Sequence, residues 1–202
     1  MTKNIIFDMG NVIIDIDVPA TYRAFADLAG ISEEEATAIF HEKNLYHNLE
    51  IGKTDNQTFR NQIRASFGDK LTDDEIDKAW CALLKEMPKD RLDRILELGK
   101  SYNIFLLSNT NSIHIKDVSE RAARMGHDFL SLFQIPFFSY ELGYMKPDEN
   151  FYHEVLKRGN LKAEETVFID DNFENIESAK KVGIQTIWLN PLGSVLAKLE
   201  TF

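Results

Sequence analysis

Continuous apolar runs recur along the chain and predict the strands of a sheet. Runs without polar interruption are typical of strands that are buried on both faces of a parallel sheet. Helical spacing of apolar residues separates these runs at 91–98 and 173–182. The alternation of strands and helices predicts an α/β fold, with a Rossmann-like, doubly wound parallel sheet as its core. The predicted strands cover residues 5–7, 104–107, 167–169 and 185–189.

Polar side chains directly follow the first three of these predicted strands. Ligands of doubly wound sheets bind beyond the carboxyl ends of the strands, so we expect these side chains to gather there. Taken singly, each has an ordinary explanation as a helix cap or a turn residue. The adjacent carboxylates are the hardest to explain in this way, because they repel each other unless a cation or donors lie nearby. The side chains are those of Asp8, Ser108, Asn109, Asp170 and Asp171.

The segment from residue 18 to residue 87 has a different pattern, because helical spacing runs through it and no strand-like run appears. Capping-box sequences precede its periodic stretches, and each of them is a signal for a helix start. We predict a small α-helical cap domain at 18–87, inserted into a core that is formed by 1–17 and 88–202. The capping pairs are Ser32 with Glu35, Thr54 with Gln57 and Thr72 with Glu75.

Composition narrows the function classes. The formal net charge of −10 argues against nucleic acid and anionic membrane surfaces as partners, because both are bound through basic patches. Cys81 is the single cysteine, which fits a reducing compartment. No run approaches the ~18 apolar residues of a membrane span, and no basic leader with a long apolar run is evident at the N-terminus. We therefore expect a cytoplasmic protein.

Four motifs in a fixed order give the chain a family resemblance. They are IIFDMGNV, IFLLSNT, GYMKPDENFY and VFIDDNFENIESA. This order resembles the haloacid dehalogenase (HAD) superfamily, and the helical segment resembles the small cap of that superfamily. Within it, the motifs look most like those of bacterial sugar-phosphate phosphatases of the α-D-glucose-1-phosphate phosphatase type. The resemblance implies hydrolysis of a small phosphate monoester, so the expected partner is a small phosphorylated metabolite.

The resemblance implies an aspartyl-phosphate mechanism, with Asp8 as the nucleophile and Mg²⁺ as the cofactor. The metal ligands would be the Asp8 carboxylate, the backbone carbonyl of Gly10 and the pair Asp170 and Asp171. Oxygen ligands of this kind suit Mg²⁺. We favour Asp171 as a direct ligand, and whether Asp170 binds the metal directly stays open.

The resemblance also implies donors for the phosphate group. Ser108 would donate its hydroxyl, and Asn109 would donate its backbone N–H at a helix start. Lys146 would place its ammonium group against both the phosphate and Asp8. We therefore predict that Lys146 is catalytic as well as phosphate-binding.

Gly10 is a departure from the phosphatase pattern, which has a second Asp two positions after the nucleophile as general acid and base. Gly10 is expected to permit a positive φ in the turn after the first strand, with help from Asn11. Three explanations are open for the missing acid. The leaving group departs without being protonated, another acid replaces the missing one, or the enzyme is weak. We favour the first explanation, because the phosphatases that the chain resembles most act on a sugar 1-phosphate, whose anomeric oxygen is a good leaving group. The candidate substitutes are Asp15, Asp17, His47 and Glu50.

Substrate contacts are expected from the cap. Residues 41–50 combine aromatic, histidine and carboxylate side chains, which suit a polyol with many hydroxyls. The alternative is that the apolar members form the core of the cap, while the polar ones lie in solvent. We predict substrate contacts for Asp17, His47 and Glu50.

Two other functions stay open at this point. A haloacid dehalogenase uses an Asp nucleophile without a metal, and the pair Asp170 and Asp171 argues against it, because no cation would then hold two carboxylates together. The second is a catalytically weak pseudo-enzyme that binds a phosphorylated metabolite, and its best support is Gly10.

Overall fold

A five-stranded parallel sheet forms the centre of the protein. The computed structural model describes residues 1–190, so the last part of the predicted core segment 88–202 lies outside the described residues. The strands are β1 (Asn4–Phe7), β2 (Asn103–Ser108), β3 (Ile135–Phe138), β4 (Thr166–Asp170) and β5 (Gln185–Trp188). Their order across the sheet is β3-β2-β1-β4-β5, and every pairing is parallel. The predicted α/β class is confirmed.

Strand β3 is the element that the hydrophobic pattern does not predict. It lies at the edge of the sheet and pairs with β2 alone. Pro136 lies within it, and proline is tolerated there because an edge strand needs ladder hydrogen bonds on one side only. In a sequence, a proline within a short apolar run argues against a strand, which explains the omission.

The stretch between β1 and β2 contains the helices of the predicted cap and, within this described stretch, no strand. They are α1 (Val18–Ala29), α2 (Glu33–Glu42), α3 (Leu45–Glu50), α4 (Asn56–Phe67) and α5 (Asp73–Trp80). Phe25, Phe40 and Phe67 pack together in their centre, with 5.1 to 5.4 Å between ring centroids. The two stretches of chain that lead into and out of this segment lie next to each other, because the N–H of Asp15 donates to the carbonyl of Glu86 at 2.8 Å. The division into cap and core domains stays a prediction.

The predicted start of α4 is wrong by one residue. The helix begins at Asn56, and its N-cap is Asp55 rather than Thr54. The carboxylate of Asp55 accepts a hydrogen bond from the N–H of Thr58 at 2.7 Å, and a charged acceptor makes a stronger cap than a hydroxyl. The other two predicted N-caps are confirmed: Ser32 accepts from the N–H of Glu35, and Thr72 forms a complete capping box with Glu75.

Helices cover both faces of the sheet. They are α6 (Lys89–Leu98), α7 (Ser112–Arg124), α8 (Ser139–Leu142), α9 (Glu149–Arg158) and α10 (Phe173–Lys181). Ile5 and Phe7 belong to the core that includes α6 and α7, whereas Ile6 belongs to the core that includes α9 and α10. Alternate residues of a strand point to opposite faces, so the sheet is doubly wound as predicted. None of the described helices has the length and hydrophobicity of a membrane span.

Candidate functional site

The carboxyl edge of the sheet brings three strand ends together. Phe7 of β1 lies level with Ile169 of β4, so the residues that follow them, Asp8 and Asp170, lie side by side. On the other side of β1, Ser108 is the last residue of β2. Residues that are remote in sequence meet here because parallel strands all end at the same edge of a sheet.

Lys146 joins two of these strand ends through its ammonium group. Its Nζ lies 2.8 Å from Oδ1 of Asp8 and donates a hydrogen bond at 2.7 Å to Oδ2 of Asp170. All three side chains are buried. Burial alone would lower the pKa of Lys146, but Asp170 and Asp8 outweigh burial and the pKa is raised. Lys146 is therefore a fixed cation and not a solvated loop residue.

Asn109 holds the loop that carries Lys146. Its Nδ2 donates to the carbonyl of Lys146 at 2.9 Å, and its Oδ1 accepts from the N–H of Lys146 at 2.8 Å. The prediction that the N–H of Asn109 lies at a helix start is wrong, because α7 begins at Ser112 and is capped by Asn111. The side chain of Asn109 therefore positions the cation through the backbone.

Three carboxylates crowd around one point at this edge. Asp8, Asp170 and Asp171 each offer an oxygen, and these oxygens lie within 4.8 Å of one another. Burial raises the pKa of Asp8 to about 7; Lys146 opposes this shift, whereas Asp170 adds to it. Burial also raises the pKa of Asp171. One ammonium group lies among three carboxylates, so Lys146 does not fully compensate their charge.

Asp170 is the most firmly held of the three carboxylates. Besides the ammonium group, its oxygens meet the N–H of Asn172 at 2.7 Å and Nδ2 of Asn175 at 2.9 Å. Asp171 accepts from Nδ2 of Asn11 at 2.9 Å. The four motifs imply no site role for these asparagines. The sequence feature that could have identified two of them is their position at the start of a helix, because Asn172 and Asn175 stand at the start of α10.

The turn after β1 departs from its predicted form. The residue with positive φ is Asn11, at 55°, and Gly10 is not in this conformation. Asparagine tolerates left-handed backbone better than most residues, and Oδ1 of Asn11 accepts from the N–H of Ile16 at 3.0 Å. A Cβ at Gly10 would lie 3.0 Å from Cδ1 of Ile16. Gly10 therefore serves close packing and not an unusual φ.

The hydroxyl of Ser108 is buried but weakly bonded. It donates to the carbonyl of Asn109 at 3.4 Å, which is long for a hydroxyl donor. A hydroxyl can rotate to suit a better acceptor. Ser108 is therefore able to turn its donor toward a ligand oxygen at the carboxyl edge.

The four candidate acids differ in their surroundings. Asp15 and Asp17 each pair with an arginine, at 2.8 and 2.5 Å, and their side chains are 46% and 38% exposed. His47 is exposed on α3, whereas Glu50 is buried at the end of the same helix. The structure thus does not bring Asp15, Asp17 or His47 into the buried group around Asp8.

Glu50 is close enough to the strand ends for their charges to affect its ionisation. Burial raises the pKa of Glu50 to about 8; hydrogen bonding to Tyr46 opposes this shift, and the charge of Asp8 adds to it. The charge of Lys146 and a hydrogen bond with Asn111 both lower the pKa of Glu50. Of the four candidate acids, Glu50 is thus the buried one, and the charges of Asp8 and Lys146 act on its carboxyl group.

The acidic group fits a hard divalent cation. Three carboxylate oxygens within 4.8 Å of one another form a donor set of the kind that Mg²⁺ prefers. A divalent ion would also compensate the negative charge that Lys146 leaves. The role of the Gly10 carbonyl as a further ligand stays a prediction.

Comparison with known proteins finds relatives over most of the chain. The family of haloacid dehalogenase-like hydrolases matches residues 2–183. A D-ribitol-5-phosphate phosphatase from Bacteroides thetaiotaomicron is 34% identical over 187 residues, which cover 92% of this chain and 91% of that protein. A phosphorylated carbohydrates phosphatase from Thermotoga maritima is 28% identical and covers 91% of this chain and 83% of that protein.

Solved structures share the fold. A HAD family enzyme from Bacteroides thetaiotaomicron, in complex with magnesium and inorganic phosphate, has a TM-score of 0.88 at 30% identity and covers 96% of each chain. The L-2-haloacid dehalogenase from Xanthobacter autotrophicus has a TM-score of 0.63 at 18% identity, over 98% of this chain and 82% of that one, so that likeness concerns the fold alone. The match over residues 2–183 and the identity to the relatives show that the chain belongs to the haloacid dehalogenase-like hydrolases.

Proposed function

We propose that this protein is a Mg²⁺-dependent phosphatase that hydrolyses small sugar or polyol phosphates through an aspartyl phosphate on Asp8. The observation that carries the proposal is the meeting of Asp8, Lys146, Asp170 and Asp171, with three carboxylate oxygens within 4.8 Å of one another. Relatives named for D-ribitol 5-phosphate and for phosphorylated carbohydrates support the substrate class.

The metal ligands in this proposal are Asp8, Asp171 and the carbonyl of Gly10. Asp170 is not a direct ligand in this proposal, because it is 0% exposed and its oxygens already accept from three nitrogen donors. When bound, Mg²⁺ would neutralise phosphoryl charge and help to align the substrate.

Asp8 is the nucleophile in this proposal. Its Oδ1 lies 2.8 Å from Nζ of Lys146 and accepts from the N–H of Met9 at 2.6 Å, so the carboxylate is held in one orientation. Holding the nucleophile in place lowers the cost of aligning it with the substrate. The ammonium also favours the ionised form of Asp8, which is the form that attacks phosphorus.

Lys146 and Ser108 would receive the transferring phosphoryl group. Such transfers are catalysed mainly by positioning and by stabilising the charge on the phosphoryl oxygens. Lys146 supplies a buried positive charge, and Ser108 supplies a hydroxyl that can leave its long bond of 3.4 Å. Asn109 holds the backbone of Lys146 in place, and its direct contact with phosphate stays a prediction.

The acidic group also favours a phosphatase over a metal-free haloacid dehalogenase. In a metal-free dehalogenase, the single ammonium group of Lys146 would face three carboxylates and would leave part of their charge uncompensated. In a phosphatase, Mg²⁺ bound by Asp8 and Asp171 would compensate that charge.

A phosphate-release screen tests the proposal. The protein is assayed with Mg²⁺ on D-ribitol 5-phosphate, sugar phosphates, nucleotides, FMN and acetyl phosphate. We expect turnover of a sugar or polyol phosphate that stops with EDTA. Asp8→Asn should fold normally and lose activity by roughly 10⁴-fold or more, because an amide is not a nucleophile here. Asp69→Asn, the same change at an exposed residue, is the matched control and should keep full activity.

Three outcomes would contradict the proposal. Halide release from a 2-haloacid without metal would identify a dehalogenase. Binding of phosphate esters without any turnover would identify a pseudo-enzyme. Full turnover by Asp8→Asn would remove Asp8 from the mechanism.

A further inference from the structure

Glu50 is a buried carboxyl group that the proposed steps above do not use. It is the last residue of α3 and is 2% exposed, whereas His47, about one turn earlier, is exposed. Glutamate is rarely buried without partners, because moving a carboxyl group out of water is unfavourable. Its burial therefore requires either a complete set of hydrogen bonds or a function.

The hydrogen bonds of Glu50 are incomplete. Its Oε1 is buried and has no hydrogen-bond partner in the described part of the chain. The large majority of buried side-chain oxygens in proteins are paired, so an unpaired one calls for an explanation. Tyr46 and Asn111 do act on the carboxyl group by hydrogen bonding. The side chain is thus held by these two residues, while Oε1 has no hydrogen-bond partner among the described residues.

The groups around Glu50 belong to the carboxyl edge of the sheet. Asn111 lies three residues after Ser108, in the loop that leads from β2 to α7. The charges of Asp8 and Lys146 both act on the Glu50 carboxyl group. Glu50 therefore lies near the carboxyl edge that carries the nucleophile, and Asn111 links it to the loop that follows Ser108.

The position two residues after the nucleophile cannot supply a proton. Gly10 has no side chain, and a Cβ there would lie 3.0 Å from Cδ1 of Ile16. The ester oxygen of a polyol or alkyl phosphate is a poor leaving group unless it is protonated as its bond to phosphorus breaks. A substrate of this class therefore needs an acid from elsewhere in the site.

We propose that Glu50 donates the proton to the leaving oxygen of the substrate and accepts a proton from the attacking water, in place of the carboxyl group that position 10 lacks. This inference rests on the proposed function. It assigns polyol and sugar phosphates with poorly activated ester oxygens as the substrate class. Burial raises the pKa of Glu50 to about 8, so the group is protonated near neutral pH, as a donor must be.

The proposed steps balance in atoms and charge. In the first, an Asp8 oxygen forms a bond to phosphorus, the bond from phosphorus to the ester oxygen breaks, and the Glu50 proton moves to that oxygen and gives an alcohol. In the second, a water oxygen attacks phosphorus from the side that the alcohol has left, and its proton moves to the Glu50 carboxylate. The bond between Asp8 and phosphorus breaks, and inorganic phosphate leaves.

The test compares two leaving groups in a single turnover with Mg²⁺. D-ribitol 5-phosphate needs a proton on its leaving oxygen, whereas p-nitrophenyl phosphate releases a stable phenolate without one. We expect Glu50→Gln to slow phosphoryl transfer from the ribitol ester by about 10²–10⁴-fold and to leave transfer from the nitrophenyl ester nearly unchanged. Glu34→Gln, the same change at an exposed position of α2, is the matched control and should slow neither.

The outcomes separate this inference from the proposed function. Equal slowing of both esters would show that Glu50 has a structural role, and no slowing of either would show that it has none; both results overturn the inference. Wild-type protein that turns over neither ester would instead overturn the proposed function. A second variant, Glu50→Ala, should regain transfer from the ribitol ester when formate is added, and absence of this rescue counts against proton donation.

Discussion

Asp170 and Glu50 are both buried carboxyl groups, but the protein surrounds them differently. Asp170 is 0% exposed and accepts from Lys146, from Asn175 and from a backbone N–H. Glu50 is 2% exposed and leaves Oε1 unpaired. The fold itself therefore satisfies the hydrogen bonds of Asp170, whereas it leaves one oxygen of Glu50 without a partner among the described residues.

The difference follows from where each residue lies. Asp170 ends a central strand, and its partners are fixed by the sheet and by the start of α10. Glu50 ends a helix of 6 residues in the helical segment, and its surroundings depend on how that segment lies against the loops of the sheet. The comparison teaches that the sheet provides the charged groups, while the helical segment supplies Glu50, the proton donor in our proposal.

Removal of the cation from the sheet region should give the largest change in stability. Lys146→Met leaves Asp8 and Asp170 buried without their ammonium partner, so we expect the free energy of unfolding to fall by about 3–5 kcal/mol near neutral pH. Urea denaturation in EDTA measures this loss. Lys70→Met, at an exposed residue, is the control and should be close to wild type.

The loss in Lys146→Met should also depend on pH. Lys146 lowers the pKa of Asp8, which burial raises to about 7 from 3.8, so its removal raises the pKa of the folded state further. Above the unfolded value, the folded variant keeps a proton that the unfolded chain has released, and its stability falls as pH rises. Wild type keeps the same proton up to its own folded value of about 7 and then releases it, so the difference between the two proteins should widen above about pH 7. A difference that is constant with pH would contradict the ion-pair assignment.

A smaller effect is expected where the helical segment meets the sheet loops. A Cβ at Gly52, which has a φ of +69°, would lie 2.1 Å from the carbonyl O of Tyr140. Gly30 has nearly the same φ, +68°, but no atom within 4 Å of its Cβ position. We expect Gly52→Ala to lose about 1–3 kcal/mol more than Gly30→Ala, because the added methyl must push the two regions apart.

Urea denaturation and turnover of D-ribitol 5-phosphate measure both glycine variants. Displacement of α3 should move Glu50, so Gly52→Ala should also lose activity, while Gly30→Ala should keep it. Equal stability and equal activity of the two variants would show that this contact does not position Glu50.

The sheet region could be predicted from the sequence because the ends of its apolar runs show where the strands end. Apolar runs mark where β1, β2 and β4 end, and parallel pairing brings those ends to one edge. That is enough to place Asp8, Ser108 and Asp170 together. Strand β3 could not be predicted in the same way, because Pro136 argues against a strand until the edge position is known.

The remaining features depend on side-chain direction, which spacing does not determine. Asn11 adopts the positive φ that Gly10 was expected to need, because its side chain bonds to the turn. Asn109 binds the backbone of Lys146 and does not begin a helix. His47 and Glu50 lie on one helix, and only the packing of that helix against the sheet loops decides which of them is buried.

The central claim is that Asp8 accepts the phosphoryl group, and acid quenching followed by peptide mass spectrometry tests it most directly. During turnover of D-ribitol 5-phosphate or p-nitrophenyl phosphate, the peptide that contains Asp8 should gain the mass of one phosphoryl group, with the modification on Asp8. The same peptide from Asp8→Asn should gain none. Rapid phosphate release without any phosphoryl group on Asp8, or with one on another residue, would contradict the account.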